Sequence, residues 1–206
     1  AIPRRKIPSD SGKLAGRKAM RLLNPSTSLA PSRRLARFID RFWSWEPPPF
    51  APLPEMLPGT GAECFFNLHH PMRVIEVGTG ASQWAPQAFL LCHRSQVLQF
   101  ESAEPTRFIA IRFRAGQLRR FVPFAFAELQ DRLTPVADLW PSLSDSWQEA
   151  FQQKTTFCEQ AHWLDAFFCQ QLRSAQILLL DALLAALYRT PSMRIEALAE
   201  QAGWSR

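Results

Sequence analysis

Thr106-Arg107-Phe108-Ile109-Ala110-Ile111-Arg112-Phe113-Arg114-Ala115-Gly116-Gln117-Leu118 contains the change of period that decides the fold. Up to Phe113 the side chains alternate, with Phe108, Ala110 and Arg112 on one face and Ile109, Ile111 and Phe113 on the other, as in a strand. From Ala115 the spacing lengthens. Leu118, Phe121 and Val122, then Phe126, Leu129 and Leu133, recur at helical intervals and predict helix.

Upstream, short apolar runs are separated by turn residues. Glu63–Leu68, Met72–Val77, Ala88–His93, Gln96–Phe100 and Thr106–Phe113 are predicted strands. Gly59-Thr60-Gly61, His70-Pro71, Gly78-Thr79-Gly80 and Glu104-Pro105 punctuate them, a pattern that suggests a small antiparallel barrel or sandwich. Before them, Leu35, Phe38, Ile39 and Phe42 fall at i, i+3, i+4 and i+7 and favour a short helix, followed by the aromatic strand-like run Phe42-Trp43-Ser44-Trp45. Three consecutive prolines, Pro47 to Pro49, then force an extended connection or edge as far as Pro58. Downstream, Pro141–Gln153, Cys158–Leu172 and Ala175–Tyr188 are predicted helices. The expected fold is therefore α+β: a small antiparallel β barrel or sandwich of cupin-like type, then a helical bundle.

Charge is uneven along the 206 residues. Residues 1–34 hold nine Lys and Arg against Asp10 alone, so the net charge of +6 belongs to an N-terminal arm and the remainder is slightly acidic. The pI near 9.7 is therefore no evidence for a DNA-binding face on residues 35–206. Cys64, Cys92, Cys158 and Cys169 form no C-x-x-C pair, as expected of thiols in a reducing cytoplasm. No apolar run reaches the ~18 residues a membrane span requires, so a cytoplasmic protein without a membrane partner is expected.

The C-terminal stretch Arg194-Ile195-Glu196-Ala197-Leu198-Ala199-Glu200-Gln201-Ala202-Gly203-Trp204-Ser205-Arg206 has the most specific content. Ile195, Leu198, Ala199 and Ala202 make one apolar stripe. Gly203 stands where a helix C-cap needs positive φ, and Ser205 is a suitable N-cap for a new helix. A stop and a restart this close give helix-turn-helix geometry, with an ordinary α-hairpin as the alternative.

The pattern Ile195-x-x-Leu198-Ala199-x-x-x-Gly203-x-Ser205-Arg206 resembles the first helix and turn of the helix-turn-helix in AraC-family (AraC/XylS-type) transcription regulators. Phe42-Trp43, Glu63-Cys64-Phe65-Phe66-Asn67-Leu68, Ile111-Arg112-Phe113-Arg114-Ala115-Gly116, Glu128-Leu129-x-Asp131 and Asp138-Leu139-Trp140 follow in the order of landmarks in a sensor domain of one branch of that family. Pro58-Gly59-Thr60 and His69-His70 depart from its pattern.

The resemblance implies a basic flexible arm over 1–30, a β-rich effector-sensing domain over 31–135, a helical dimerisation region over 136–173, and the truncated start of a DNA-binding domain over 174–206. It implies no enzymatic activity, an unknown small-molecule effector, a homodimer, and DNA as the partner of the whole regulator rather than a specific partner of this fragment. Ser205 and Arg206 are the implied DNA contacts.

For the effector pocket, Asn67, Trp84, Arg112 and Arg114 are the candidates. An Arg fork on an interior strand face would hold an anion bidentately. A metal-dependent cupin-like enzyme is the alternative, with His69, His70, Cys92 and His93 as ligand types. Adjacent residues cannot both face inward on a regular strand, so no metal site and no cofactor is expected.

Overall fold

The computed structural model describes residues 26–46, 52–123, 125–143, 146–173 and 178–204. Ten strands form two antiparallel sheets. The larger orders its strands β1 (Ser26–Leu29), β2 (Ile39–Trp45), β9 (Phe108–Phe113), β4 (Glu63–Asn67), β7 (Ala88–Leu91) and β10 (Leu133–Pro135). The smaller runs β3 (Glu55–Met56), β8 (Leu98–Glu101), β5 (Arg73–Glu76) and β6 (Ser82–Trp84). The fold is α+β, a β barrel or sandwich followed by helices, as its period change indicates.

The larger sheet is covered on both faces. Phe65, Phe89, Phe108 and Ala110 join Met56, Val74, Leu98 and Phe100 of the smaller sheet in an aromatic-rich inner core. Phe65 sits at its centre, stacked on Phe89 at 5.1 Å and edge-on to Phe100 and Phe108. On the opposite face Cys64, Phe66, Ile109, Ile111 and Phe113 pack against the helices. In chain order the described helices are α1 (Phe126–Leu129), α2 (Val136–Leu139), α3 (Ser146–Gln153), α4 (Phe157–Gln171), α5 (Leu179–Arg189) and α6 (Ile195–Gln201), and α1 to α4 contribute to this core. Trp147 and Phe151 of α3 and Leu164 and Phe168 of α4 enter this second core. A capping box starts α4: the Thr156 hydroxyl accepts from Glu159 N–H at 3.3 Å, and Thr156 N–H donates back to the Glu159 carboxylate at 3.1 Å.

Three expectations are corrected. Leu35, Phe38, Ile39 and Phe42 do not share a helix: residues 33–38 are turn, and Ile39 and Phe42 lie on β2. All four are buried in the helix-side core. The register of β2 on β9 shifts between Ile39 and Arg41, so the bulge at Asp40 turns Ile39 and Phe42 to one face and imitates a helical interval. The sheet also includes chain before Pro31, because Ser26–Leu29 pairs with β2 as an edge strand. The helical spacing after Ala115 resolves into a 3-10 turn at Gln117–Arg120, the short α1, and a strand: Leu133 pairs with Leu91 in β10. Pro135 is tolerated there because β10 is an edge.

Candidate functional site

Cross-strand register stacks three rows of side chains on the inner face of the larger sheet. At the open end, Arg41, Arg112 and Glu63 are lateral neighbours on β2, β9 and β4. One row deeper come Trp43, Ala110 and Phe65, and below them Trp45, Phe108 and Asn67. The top row is charged and the rows beneath are aromatic. Facing them, the segment Pro54–Gly61 closes the other wall of a mouth of ≈ 760 Å³ that Arg41, Trp43, Trp45, Glu63, Arg94 and Arg112 line.

Arg94 is fixed there by its backbone. Its N–H and C=O exchange 2.9 Å hydrogen bonds with Gly59, and its Nε donates to the Leu57 carbonyl at 3.2 Å. Its Nη2 lies 3.5 Å from Glu63 Oε1, and Arg112 Nη1 lies 3.9 Å from the same oxygen. The Glu63 and Arg94 side chains are 3% and 5% exposed, whereas Arg112 is 43% exposed. Burial raises the Glu63 pKa above the ordinary carboxylate value, more than the neighbouring guanidinium groups of Arg94 and Arg112 lower it. Burial likewise lowers the pKa of Arg94, against the pull of Glu63.

Several donors in this mouth lack acceptors. Arg94 Nη1, Trp43 Nε1 and Trp45 Nε1 are sealed from water and make no hydrogen bond. The Trp43 indole is close enough to Glu63 to help lower its pKa, but it does not reach hydrogen-bond geometry. Indole and guanidinium nitrogens only donate, so every orphaned group here calls for an acceptor.

No two of the four pocket candidates line the same cavity among those described. Arg112 is in the mouth. Asn67 belongs to the inner face, but its polar atoms are used on a turn: Nδ2 donates to His70 O at 2.5 Å, and Oδ1 accepts from Thr106 Oγ1 at 2.9 Å and His69 N–H at 3.3 Å. Arg114 donates to Ala36 O at 3.0 Å and lines a separate cleft of ≈ 490 Å³ under α5. Trp84 is 63% exposed on β6, with the Arg73 guanidinium 5.7 Å from its ring. Ser205 and Arg206 lie outside the described residues.

Arg41, Trp43, Trp45, Glu63 and Arg94 are the mouth residues that sequence reasoning did not select. Trp43 and Trp45 alternate on one strand, and Glu63 opens an otherwise apolar run, signals that could have marked them. Nothing local marks Arg94. As for the metal-ligand types, Cys92 is buried while His93, at φ 41°, and His69 are exposed, and His70 faces Glu104 at 3.2 Å. Among the described residues no three His, Cys, Asp or Glu side chains gather as a metal-binding group. No described helix is long and apolar enough to cross a membrane.

A second polar cluster joins α5 to the sheet domain. Gly116, at φ 69°, begins the 3-10 turn, which aims Gln117, Arg119 and Arg120 at Asp181. Gln117 Nε2 donates to Asp181 Oδ1 at 2.8 Å, both arginines form ion pairs with the carboxylate, and Leu178 N–H donates to Oδ2 at 2.8 Å. The Asp181 pKa is lowered: its desolvation is outweighed by the bonds from Gln117, Leu178 and Arg120 and by the charge of Arg119. About two helical turns further on, the Tyr188 hydroxyl accepts from Ala115 N–H at 3.2 Å, and Tyr188 lines both the α5 cleft and the barrel mouth.

At the end of α6, Gly203 adopts φ 69°. Its N–H bonds to Glu200 O at 3.0 Å, and Trp204 N–H reaches back to Ala199 O at 2.9 Å, the paired pattern of a Schellman turn. The glycine stop expected at this position is present. The apolar stripe of α6 is only partly covered, with Ile195 80% and Trp204 61% exposed.

Residues 27–135 match the family described as a domain of unknown function, DUF6597. No curated protein matches the sequence. Among solved structures, an apo ToxT from Vibrio cholerae strain SCE256 is similar with TM-score 0.44 and 10% identity, over 77% of this chain and 69% of that one. Ethanolamine utilization protein Q from Salmonella typhimurium LT2 is similar with TM-score 0.31 and 15% identity, over 44% of this chain and 69% of that one.

Proposed function

The chain belongs to the DUF6597 family, and from that premise we propose that it is the effector-sensing and dimerising portion of an AraC-type transcription regulator. The observation that carries this reading is the Gly203 turn: a short helix with a small-residue stripe stops in a left-handed glycine at the position where the family's helix-turn-helix makes its turn. The ordered landmarks from Phe42-Trp43 to Asp138-Leu139-Trp140 support the same assignment.

In this reading the barrel receives a small-molecule effector at its mouth, and the protein catalyses no reaction. Helix α5 is the lead helix of the DNA-binding domain, and α6 is the scaffold helix of its first helix-turn-helix. Ser205 and Arg206, the implied DNA contacts, carry a hydroxyl and a cation suited to phosphate. The remaining base-reading side chains are not among these 206 residues, so DNA is a partner of the whole regulator, acting in the cytoplasm. Leu178, Leu179 and Leu180 are 43%, 51% and 48% exposed and offer an apolar patch to a second copy.

The test is selection from a random duplex library, comparing residues 1–206 with the protein extended through the rest of its reading frame. Enrichment of a defined sequence by the extended protein alone is expected. Tight sequence-selective binding by residues 1–206, or no enrichment by the extended protein, would overturn the assignment. Light scattering that finds only monomer at micromolar concentration would overturn the dimer.

A further inference from the structure

The barrel mouth contains more positive charge and more unmet donors than its own residues use. We propose that it is a binding site for a small monoanionic carboxylate, gripped by Arg112 and Arg41 at the rim and completed by Arg94 Nη1 beside Glu63. The inference rests on reading the barrel as the effector domain and names the chemical class of its ligand.

Charge comes first. Three guanidinium groups, Arg41, Arg94 and Arg112, line the mouth against the buried Glu63 and the exposed Glu55. Glu63 engages Arg94 and Arg112 through the same oxygen, at 3.5 Å and 3.9 Å, so neither arginine has a close bidentate partner. Arg41 also lies 4.0 Å from Asp40 outside the lining, so within the lining one guanidinium group exceeds the carboxylates and is matched by one anionic group.

Geometry is the second observation. Arg94 is nine-tenths buried and held by its backbone bonds to Gly59, yet its Nη1 meets no acceptor. Preset donors that cannot reach water require an acceptor from outside, and a carboxylate brings two oxygens with no donor of its own. Because Trp43 and Trp45 line the mouth beneath the charged rim, the rest of the ligand meets aromatic surface. Glu63 sets the upper limit on charge, since a fixed wall carboxylate repels a dianion more than a monoanion.

Phenylacetate, its neutral isostere phenylacetamide and the dianion phenyl phosphate, each titrated calorimetrically into the 206-residue chain, test this. Phenylacetate is expected to bind and phenylacetamide to fail. Arg112→Met, at an exposed position that leaves the core intact, should weaken phenylacetate about tenfold. Glu63→Gln should strengthen it severalfold, a gain that a purely structural arginine cluster would not produce; circular dichroism checks that both variants fold.

No binding of phenylacetate at millimolar concentration, equal binding of phenylacetamide, or indifference to both substitutions would overturn the site. Tighter binding of phenyl phosphate would overturn its monoanionic class. Either failure leaves the selection of DNA by the extended protein unaffected, so the two readings fail separately.

Discussion

Replacing Asp181 with alanine tests whether one carboxylate fastens α5 to the sheet domain. Asp181 receives donors from Gln117, Arg119, Arg120 and the Leu178 backbone, and its side chain is 14% exposed. Charge-assisted hydrogen bonds contribute ~1.5–3 kcal/mol each, and removing one partner leaves Arg120, itself 6% exposed, without its counter-charge. The bonds share one acceptor and lie near the surface, so the separate contributions do not add in full. We expect Asp181→Ala to cost about 3 kcal/mol, and Asp181→Asn about half of that, because the amide oxygen still accepts. A loss of about 3 kcal/mol raises the detached population of α5 roughly a hundredfold, which hydrogen exchange would register as lost protection over Leu179–Arg189 while β4 and β9 keep theirs. The acid dependence has a definite sign. Because the folded-state pKa is lowered, this stabilisation is complete above about pH 4 and disappears as pH falls through the folded value, a dependence absent from Asp181→Asn. Unchanged protection of α5, or equal loss of protection in α5 and the barrel strands, would refute the reasoning.

Phe65, fully buried among Phe89, Phe100 and Phe108, should cost about 3–5 kcal/mol on truncation to alanine, read as a lowered denaturant midpoint. Asn67→Ala removes the amide donor to His70 O, leaves His69 N–H without its acceptor and leaves the Thr106 hydroxyl only its bond to His70 O, and should lower stability by about 2 kcal/mol in the same assay; a neutral result would show that the His70 turn does not need it. Gly203→Ala forces a methyl group into left-handed backbone and should cost about 1–2 kcal/mol of local stability at the end of α6, seen as faster amide exchange at Gly203 and Trp204, with Gly203→Asn milder. Trp84→Ala, at an exposed ring touched by Arg73, should shift stability by no more than about 0.5 kcal/mol in thermal unfolding.

The strands were legible where turn residues bounded them. Glu63–Asn67, Arg73–Glu76, Ala88–Leu91 and Phe108–Phe113 fall within predicted runs and Leu98–Glu101 oversteps its run by one residue, because Gly59–Gly61, Gly78–Gly80 and the X-Pro pairs interrupt the chain at those points. Helix α4 was legible as the predicted helix Cys158–Leu172, which it matches to within one residue at each end. The Leu35–Phe42 stretch misled because a bulge breaks the two-residue period, and Leu133 misled because an edge strand pairs with β7, far from it in sequence. The site was harder to see. Arg41, Glu63 and Arg112 become neighbours only through the order β2-β9-β4, and Arg94 enters through a two-residue bridge to Gly59, neither of which leaves a local pattern. Arg112 alone was selected, because an arginine in alternation with Phe108 and Ala110 has to share their face.

A sheet buried on both sides gives up an ordinary safeguard. In a half-wetted sheet, a strand displaced by one step throws its greasy side chains into water and the error corrects itself. Here a displaced β9 would exchange Ile109 and Ile111 for Phe108 and Ala110, oil for oil, and solvent would scarcely object. Correct alignment therefore falls to the few polar landmarks: a mispaired β9 would set Ile111 or Phe113 beside the sealed Glu63 carboxylate and leave it Arg94 alone in place of two guanidinium groups. The charges at the rim thus guard the folding of the barrel as well as its entrance.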